Sequence, residues 1–236
     1  MRVLAFADVH SPEYLPLLLS SLRTVPRGGV SAVLIAGDVV KKGDYRMCKP
    51  VQDALIKSLP GTPAVSVFGN EDYLEVHDRL KEECPEVIWL DDSYVRLALE
   101  DELVVIGTTG LLDKPTRWQR ENVPNIHEIY EKRLRKLQEL LAAFSGNKRT
   151  VLLTHYPPMC RTLTGENERF WEEMSSKKLA NILRRFPVDV VVHGHLHESK
   201  IHTDFIGSTP IYNVALPAVG EVKMIEIKPR GLLGFL

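Results

Sequence analysis

Short apolar runs alternate with amphipathic stretches through the first third of the chain. Residues 3–7, 32–36 and 64–68 are runs of Val, Leu, Ile, Ala and Phe of strand length, interrupted only by Ser66, which predicts buried strands. Residues 12–25, 49–58 and 72–82 carry polar and apolar positions at helical spacing, with Pro50 tolerated in a first turn. A strand–helix alternation of this kind predicts a parallel sheet with helices packed on it.

The middle of the chain changes character. Residues 87–90, 94–99 and 103–107 read as strands, the last two joined as a hairpin at Glu100 and Asp101. Residues 113–125 are polar and punctuated by proline, which predicts a loop. A long helix follows, with Ile126, Ile129, Tyr130, Leu134, Leu137, Leu141 and Phe144 on one face. Asn125 and Glu128 have capping-box spacing, and Gly146 suits the position past the end. A strand at 151–154, a helix at 173–185 and a strand at 188–192 come next. Short strands at 201–205, 211–214 and 222–227 close the chain. With no repeat, low-complexity tract or linker, residues 1–236 read as a single α/β domain.

Composition narrows the class. A formal net charge of −1 over 236 residues speaks against a nucleic-acid partner. Cys48, Cys84 and Cys160 are odd in number and far apart, which does not read as a disulfide framework and suits a reducing cytosol. No run approaches the roughly 18 apolar residues of a membrane span. The expectation is a soluble, cytoplasmic protein without a membrane partner; oligomeric state is not written in these patterns.

The chemistry lies at the strand ends. Asp8-Val9-His10 follows the first strand, Gly37-Asp38 the second, and Gly69-Asn70-Glu71-Asp72 the third. His155 follows the strand at 151–154, and His193-Gly194-His195-Leu196-His197 the one at 188–192. Carboxyl ends of neighbouring parallel strands share one edge, where ligands bind. Carboxylate, amide oxygen and imidazole suit divalent ions such as Mn²⁺, Fe²⁺ and Zn²⁺. Two such ions about 3.5–4 Å apart need a bridging carboxylate. Each dipeptide alone is weak; the ordered set of five is specific.

This order, DxH, GD, GN-x-D, H and GHxH, resembles the calcineurin-like metallophosphoesterase family from Asp8 to His197. The resemblance implies a four-layer fold, two mixed β-sheets forming a sandwich flanked by helices. It also implies two divalent metal ions, manganese foremost, with iron, zinc, nickel or magnesium as alternatives. Asp8, His10, Asp38 and His197 would hold one, and Asp38, Asn70, His155 and His195 the other, with Asp38 as the bridge; His193 has no ligand role. The implied reaction is hydrolysis of a phosphate mono- or diester, a nucleotide among the candidates, by attack of a metal-bridging hydroxide. The alternative within the family is a metal-binding protein-interaction module with little hydrolysis.

One position departs from the family pattern. Glu71 stands where the family usually has a histidine, and its candidate role is general acid. Asp72 is grouped with it, orienting a nearby side chain or capping the next helix. Arg117, Trp118 and Arg120 are candidates for a substrate-binding rim, with Tyr156 lining the pocket. His77 and His127 read as solvated helix residues, and the cysteines as small core or surface residues.

Overall fold

The computed structural model describes residues 1–26 and 28–228. In chain order its strands are β1 (Arg2–Phe6), β2 (Ala32–Ile35), β3 (Ala64–Val67), β4 (Val87–Leu90), β5 (Ser93–Leu97), β6 (Leu103–Thr108), β7 (Arg149–Thr154), β8 (Val190–His193), β9 (Thr203–Ile206), β10 (Thr209–Asn213) and β11 (Lys223–Glu226). The α-helices are α1 (Leu15–Leu22), α2 (Cys48–Ser58), α3 (His77–Glu83), α4 (Arg117–Asn122), α5 (Ile126–Phe144), α6 (Lys177–Arg185) and α7 (Leu216–Val219).

Two mixed sheets result. The first runs β11-β1-β2-β3-β4, parallel except for β11 at its edge; the second runs β5-β6-β7-β8-β10-β9, with β5 and β9 antiparallel at its edges. Val3, Ala5, Leu34 and Val65 of the first sheet meet Val105, Val151, Leu153 and Val192 of the second in a core between them. The alternate residues Leu4, Phe6, Val33 and Ile35 face α1 and α2 on the outer side. Val104, Ile106, Leu152 and Val191 likewise face α5 and α6. Strands buried on both faces explain the unbroken apolar runs in the sequence. The four-layer sandwich expected from the motif order is the observed architecture.

Several local expectations need correction. Residues 113–125 contain α4, held by a capping box in which Thr116 and Gln119 bond reciprocally. Asn125 offers no side-chain cap to α5; it sits in a left-handed conformation that turns the chain between the two helices. Ile129 is exposed, while Leu140 joins the buried face of α5. The helix expected from residue 173 begins only at Lys177, because Ser176 caps it, and a 3-10 helix (Glu168–Glu173) precedes it. His77 is not solvated: its ring stacks on Phe68 at 3.5 Å between centroids.

Cys48 and Cys84 form a disulfide, with 6.3 Å between their Cα atoms. Thirty-six residues separate them in sequence. Only the packing of the start of α2 against the end of α3 reveals the pair, and spacing along the chain does not. Cys160 is free.

Candidate metal centre

The carboxyl ends of β1, β2 and β3 in one sheet and of β7 and β8 in the other open on a cleft of about 300 Å³. His10, Asp38, Asn70, Glu71, Glu166, Met174, His195 and His197 line it. The loops that carry these side chains are strapped together. Asp8 N–H donates to Gly37 O, and His10 N–H to Asp38 O, both at 3.0 Å.

The backbone here is strained where it matters. Asp8, His10, Asp38 and His195 all adopt positive φ, between 40° and 72°. Non-glycine residues hold such conformations only when the surroundings dictate them, and they cluster at functional sites. Two glycines make the close approach feasible. A Cβ on Gly69 would stand 2.1 Å from Asp38 Oδ1, and one on Gly194 would stand 2.5 Å from Asp8 Oδ2.

Two groups of donor atoms converge, each within 4.8 Å: Asp8, His10 and His197, and Asp8, Asp38 and His155. In the first, His197 Nε2 lies 3.0 Å from Asp8 Oδ1 and 3.5 Å from His10 Nε2. His10 Nε2 is also 3.7 Å from Asp38 Oδ2. In the second, His155 Nε2 lies 3.5 Å from Asp38 Oδ2 and 3.0 Å from Asn70 Oδ1. His195 packs its ring against His155 at 5.0 Å, and its backbone N–H donates to Asp8 Oδ2.

These residues fit cations. His155 Nδ1 lies 3.0 Å from Ala36 O, which can only accept, so Nδ1 carries the proton. The Nε2 lone pair of His155 then faces Asn70 Oδ1 and Asp38 Oδ2. Three acceptors that close repel one another unless a positive ion lies among them. No lysine or arginine lines the cleft among the described residues, so nothing else nearby supplies that charge.

The titration of the site agrees. Burial pushes His155 down to about 4 and His195 well below its ordinary value, which keeps both imidazoles neutral and able to ligate. Burial, with Asp72 and Asp8 as like-charged neighbours, pushes Asp38 well up. Asp8 is buried too, but its hydrogen bond with His197 and the charges of His155, His197 and His10 hold it at about 2.

The structure sorts the remaining candidates. Asp72 is fully buried and accepts from the N–H groups of Val39, Val40 and Gly69. It ties the Asp38 loop to the Asn70 loop and does not line the cleft, so it positions ligands instead of meeting substrate. Glu71 lines the cleft; its N–H donates to Asp38 Oδ1 at 2.7 Å and its Oε2 accepts from Lys42 N–H at 2.8 Å. His193 is buried against Thr162 Oγ1 and Gly194 O, a structural place as expected.

The expected rim does not assemble. Arg117 pairs with Glu121 on its own helix, and Arg120 reaches Pro115 O and Glu173. Trp118 is 63% exposed, and none of the three lines the cleft. Tyr156 is buried, its ring 4.8 Å from that of His195 and its hydroxyl bonded to Gln119 of α4. It braces His195 without lining the pocket. Glu166 and Met174, which sequence reading passed over, occupy the rim instead. Glu166 lies in a stretch without strand or α-helix periodicity, and Met174 fell inside the helix expected from residue 173, which begins only at Lys177.

The fold and this donor set define a metal-dependent hydrolase of phosphoric esters. The chain belongs to the calcineurin-like phosphoesterase family, whose sequence profile matches residues 1–199. It is 27% identical over 235 residues to the UDP-2,3-diacylglucosamine hydrolase of Yersinia pestis bv. Antiqua (strain Angola), covering 92% of this chain and 91% of that protein. The fold is similar to that of the phosphopantetheinyl hydrolase of Mycobacterium tuberculosis, with a TM-score of 0.70, 16% identity and 98% of each chain covered. It is similar also to TT1561 of Thermus thermophilus, with a TM-score of 0.61, 17% identity, and 96% of this chain and 99% of that one covered. No helix among the described residues is long and apolar enough to cross a membrane.

Proposed function

We propose that the chain is a dinuclear phosphoesterase, acting as one domain on a small phosphate ester. Asp8, His10, Asp38 and His197 would hold one divalent ion and Asp38, Asn70, His155 and His195 the other, manganese being the first choice. The ions would supply Lewis acidity to the phosphate oxygens and a nucleophilic water at neutral pH. The observation that carries the reading is the facing of His155 Nε2, Asn70 Oδ1 and Asp38 Oδ2 within 3.5 Å, an acceptor cluster that a shared cation would relieve.

The chain's own residues do the rest. Asp38 stands between the two donor groups, and its Oδ1 is fixed by the Glu71 N–H. The Ala36 carbonyl fixes the tautomer of His155. Asp72 holds the two ligand loops in register, so the ligands are ordered before the substrate arrives. Among the described residues no arginine or lysine lines the cleft, so phosphate would be bound through the ions and not through a basic clamp.

Mono- and diester activity are both open to such a site. The test is release of p-nitrophenol from p-nitrophenyl phosphate and from bis(p-nitrophenyl) phosphate with Mn²⁺, with Asp38→Ala beside the wild type. Metal-dependent turnover that Asp38→Ala loses supports the reading. Turnover equal in Asp38→Ala, or absent with manganese, iron, zinc, nickel and magnesium alike, refutes it.

A further inference from the structure

The organic side of the cleft is acidic. Glu71 and Glu166 line it from opposite loops, one after β3 and the other in the stretch between β7 and α6. Among the described residues, neither carboxylate takes part in an ion pair. The Glu71 side chain accepts the backbone N–H of Lys42. The nearby Lys41 ammonium is bound to Glu13 instead. Glu166 is half-buried and held in place. Its Oε1 accepts from Glu198 N–H at 2.8 Å, and its carbonyl accepts from the Trp171 indole at 3.2 Å. Gly165, next to it, packs so tightly that an added Cβ would stand 2.1 Å from Glu198 O. Glu166 is therefore a built part of the wall and not a waving surface acid.

Charge does not balance across the cleft. Two divalent cations carry four positive charges. Asp8 and Asp38 neutralise two of them, and the neutral imidazoles none. A phosphomonoester dianion neutralises the other two. Nothing lining the cleft then offsets Glu71 and Glu166. In a narrow, partly desolvated cleft such carboxylates act on whatever the phosphate is attached to.

From this juxtaposition we propose that Glu71 and Glu166 are specificity-determining residues that select phosphoesters of cationic or hydroxylated alcohols and reject esters whose alcohol carries a further negative charge. An ammonium or hydroxyl group finds carboxyl oxygens of both residues in the cleft wall to accept its hydrogen bonds. A second phosphate or a carboxylate meets repulsion and finds no basic partner. The proposal rests on the phosphoesterase reading above and adds the chemistry of the esterifying group.

The experiment compares three small esters, choline phosphate, ethyl phosphate and phosphoglycolate, whose alcohols are cationic, neutral and anionic. They are assayed as monoesters by phosphate release and as p-nitrophenyl diesters by p-nitrophenol release, so that either ester class is covered. The full chain is used with Mn²⁺, and p-nitrophenyl phosphate serves as the reference. The expected order of kcat/KM is choline above ethyl above phosphoglycolate, with about tenfold between neighbours, the scale of one charge–charge contact near a protein surface. Glu166→Gln keeps the size of the side chain and its acceptor for Glu198 N–H. It is expected to shrink the choline-to-phosphoglycolate ratio at least about fivefold, and raising the salt to about 1 M should shrink the wild-type ratio in the same direction. Equal rates across the series, the reverse order, or a ratio that neither Glu166→Gln nor salt alters overturns the proposal while leaving the phosphoesterase intact. Failure to hydrolyse p-nitrophenyl phosphate or any diester overturns both.

Discussion

The backbone N–H of Glu71 donates to Asp38 Oδ1 at 2.7 Å, and the Glu71 side chain turns back to accept from Lys42 N–H at 2.8 Å. One residue thus fixes the proposed bridging carboxylate with its main chain and anchors the following loop with its side chain. With its main chain engaged by Asp38 and its carboxylate by Lys42 N–H, Glu71 is expected to position the site and not to donate a proton. Glu71→Gln should lower kcat/KM by the same factor on p-nitrophenyl phosphate and on an unactivated alkyl phosphate. A loss of about a hundredfold or more confined to the alkyl ester would restore the acid.

Gly69 should be intolerant of any side chain. An added methyl would sit 2.1 Å from Asp38 Oδ1, and the backbone amide of Asp38 is 2.5 Å away. Neither is the far end of a flexible side chain. Gly69→Ala must displace Asp38, and displacing a positioned group by about 1 Å can cost a hundredfold in rate. We expect a loss of that order together with weakened Mn²⁺ binding, measured by titration calorimetry on protein shown to be folded by circular dichroism.

Metal binding should weaken with acid through His197. Burial lowers its pKa, but the hydrogen bond to Asp8 and the charges of Asp8, Glu166 and Glu198 outweigh burial and raise it. A raised histidine pKa means the metal-free site holds that proton more tightly than free imidazole does. The metal must displace it, so affinity is full above the raised value and falls as the pH drops through it. His155, pushed down to about 4, contributes no such competition near neutrality. Apparent Mn²⁺ affinity should fall by up to about tenfold per pH unit below the His197 titration. A flat affinity between pH 8 and 6 would remove His197 from the ligand set.

Much of this site was legible in the sequence, and the reason is physical. Buried parallel strands must be apolar, so Asp8, Asp38, His155 and His195 stand out among the first polar residues after each run. Ligands at strand ends are readable because the strands are. Glu71 was noticed because it stands where the family has a histidine, and its contact with Lys42 N–H could not be seen from the sequence. Glu166 was not readable, because a segment without periodicity gives no direction to its side chains, and Met174 was hidden in a helix expected from residue 173 that begins only at Lys177. Arg117, Trp118 and Arg120 misled in the opposite way. Their chemistry suits a phosphate rim, but a capping box at Thr116 and Gln119 folds them into a helix away from the cleft. The disulfide escaped because tertiary packing alone brings α2 and α3 together.

That disulfide should support stability more than catalysis. Cys48 and Cys84 are both buried and neither lines the cleft, although the 36-residue segment that the bond closes carries Asn70 and Glu71. A cross-link over a loop of this size contributes about 3–4 kcal/mol by restricting the unfolded chain. Cys48→Ser with Cys84→Ser should lower the urea midpoint accordingly while leaving Mn²⁺ affinity within about twofold. An unchanged midpoint would mean that the cross-link adds nothing.

The whole account depends on residues from five strand ends surrounding a pair of ions. Anomalous diffraction from crystals grown with manganese measures this directly. The account predicts two peaks about 3.5–4 Å apart with Asp38 between them. One would lie beside Asp8, His10 and His197, the other beside Asn70, His155 and His195. A single peak, or density away from Asp38, would contradict it.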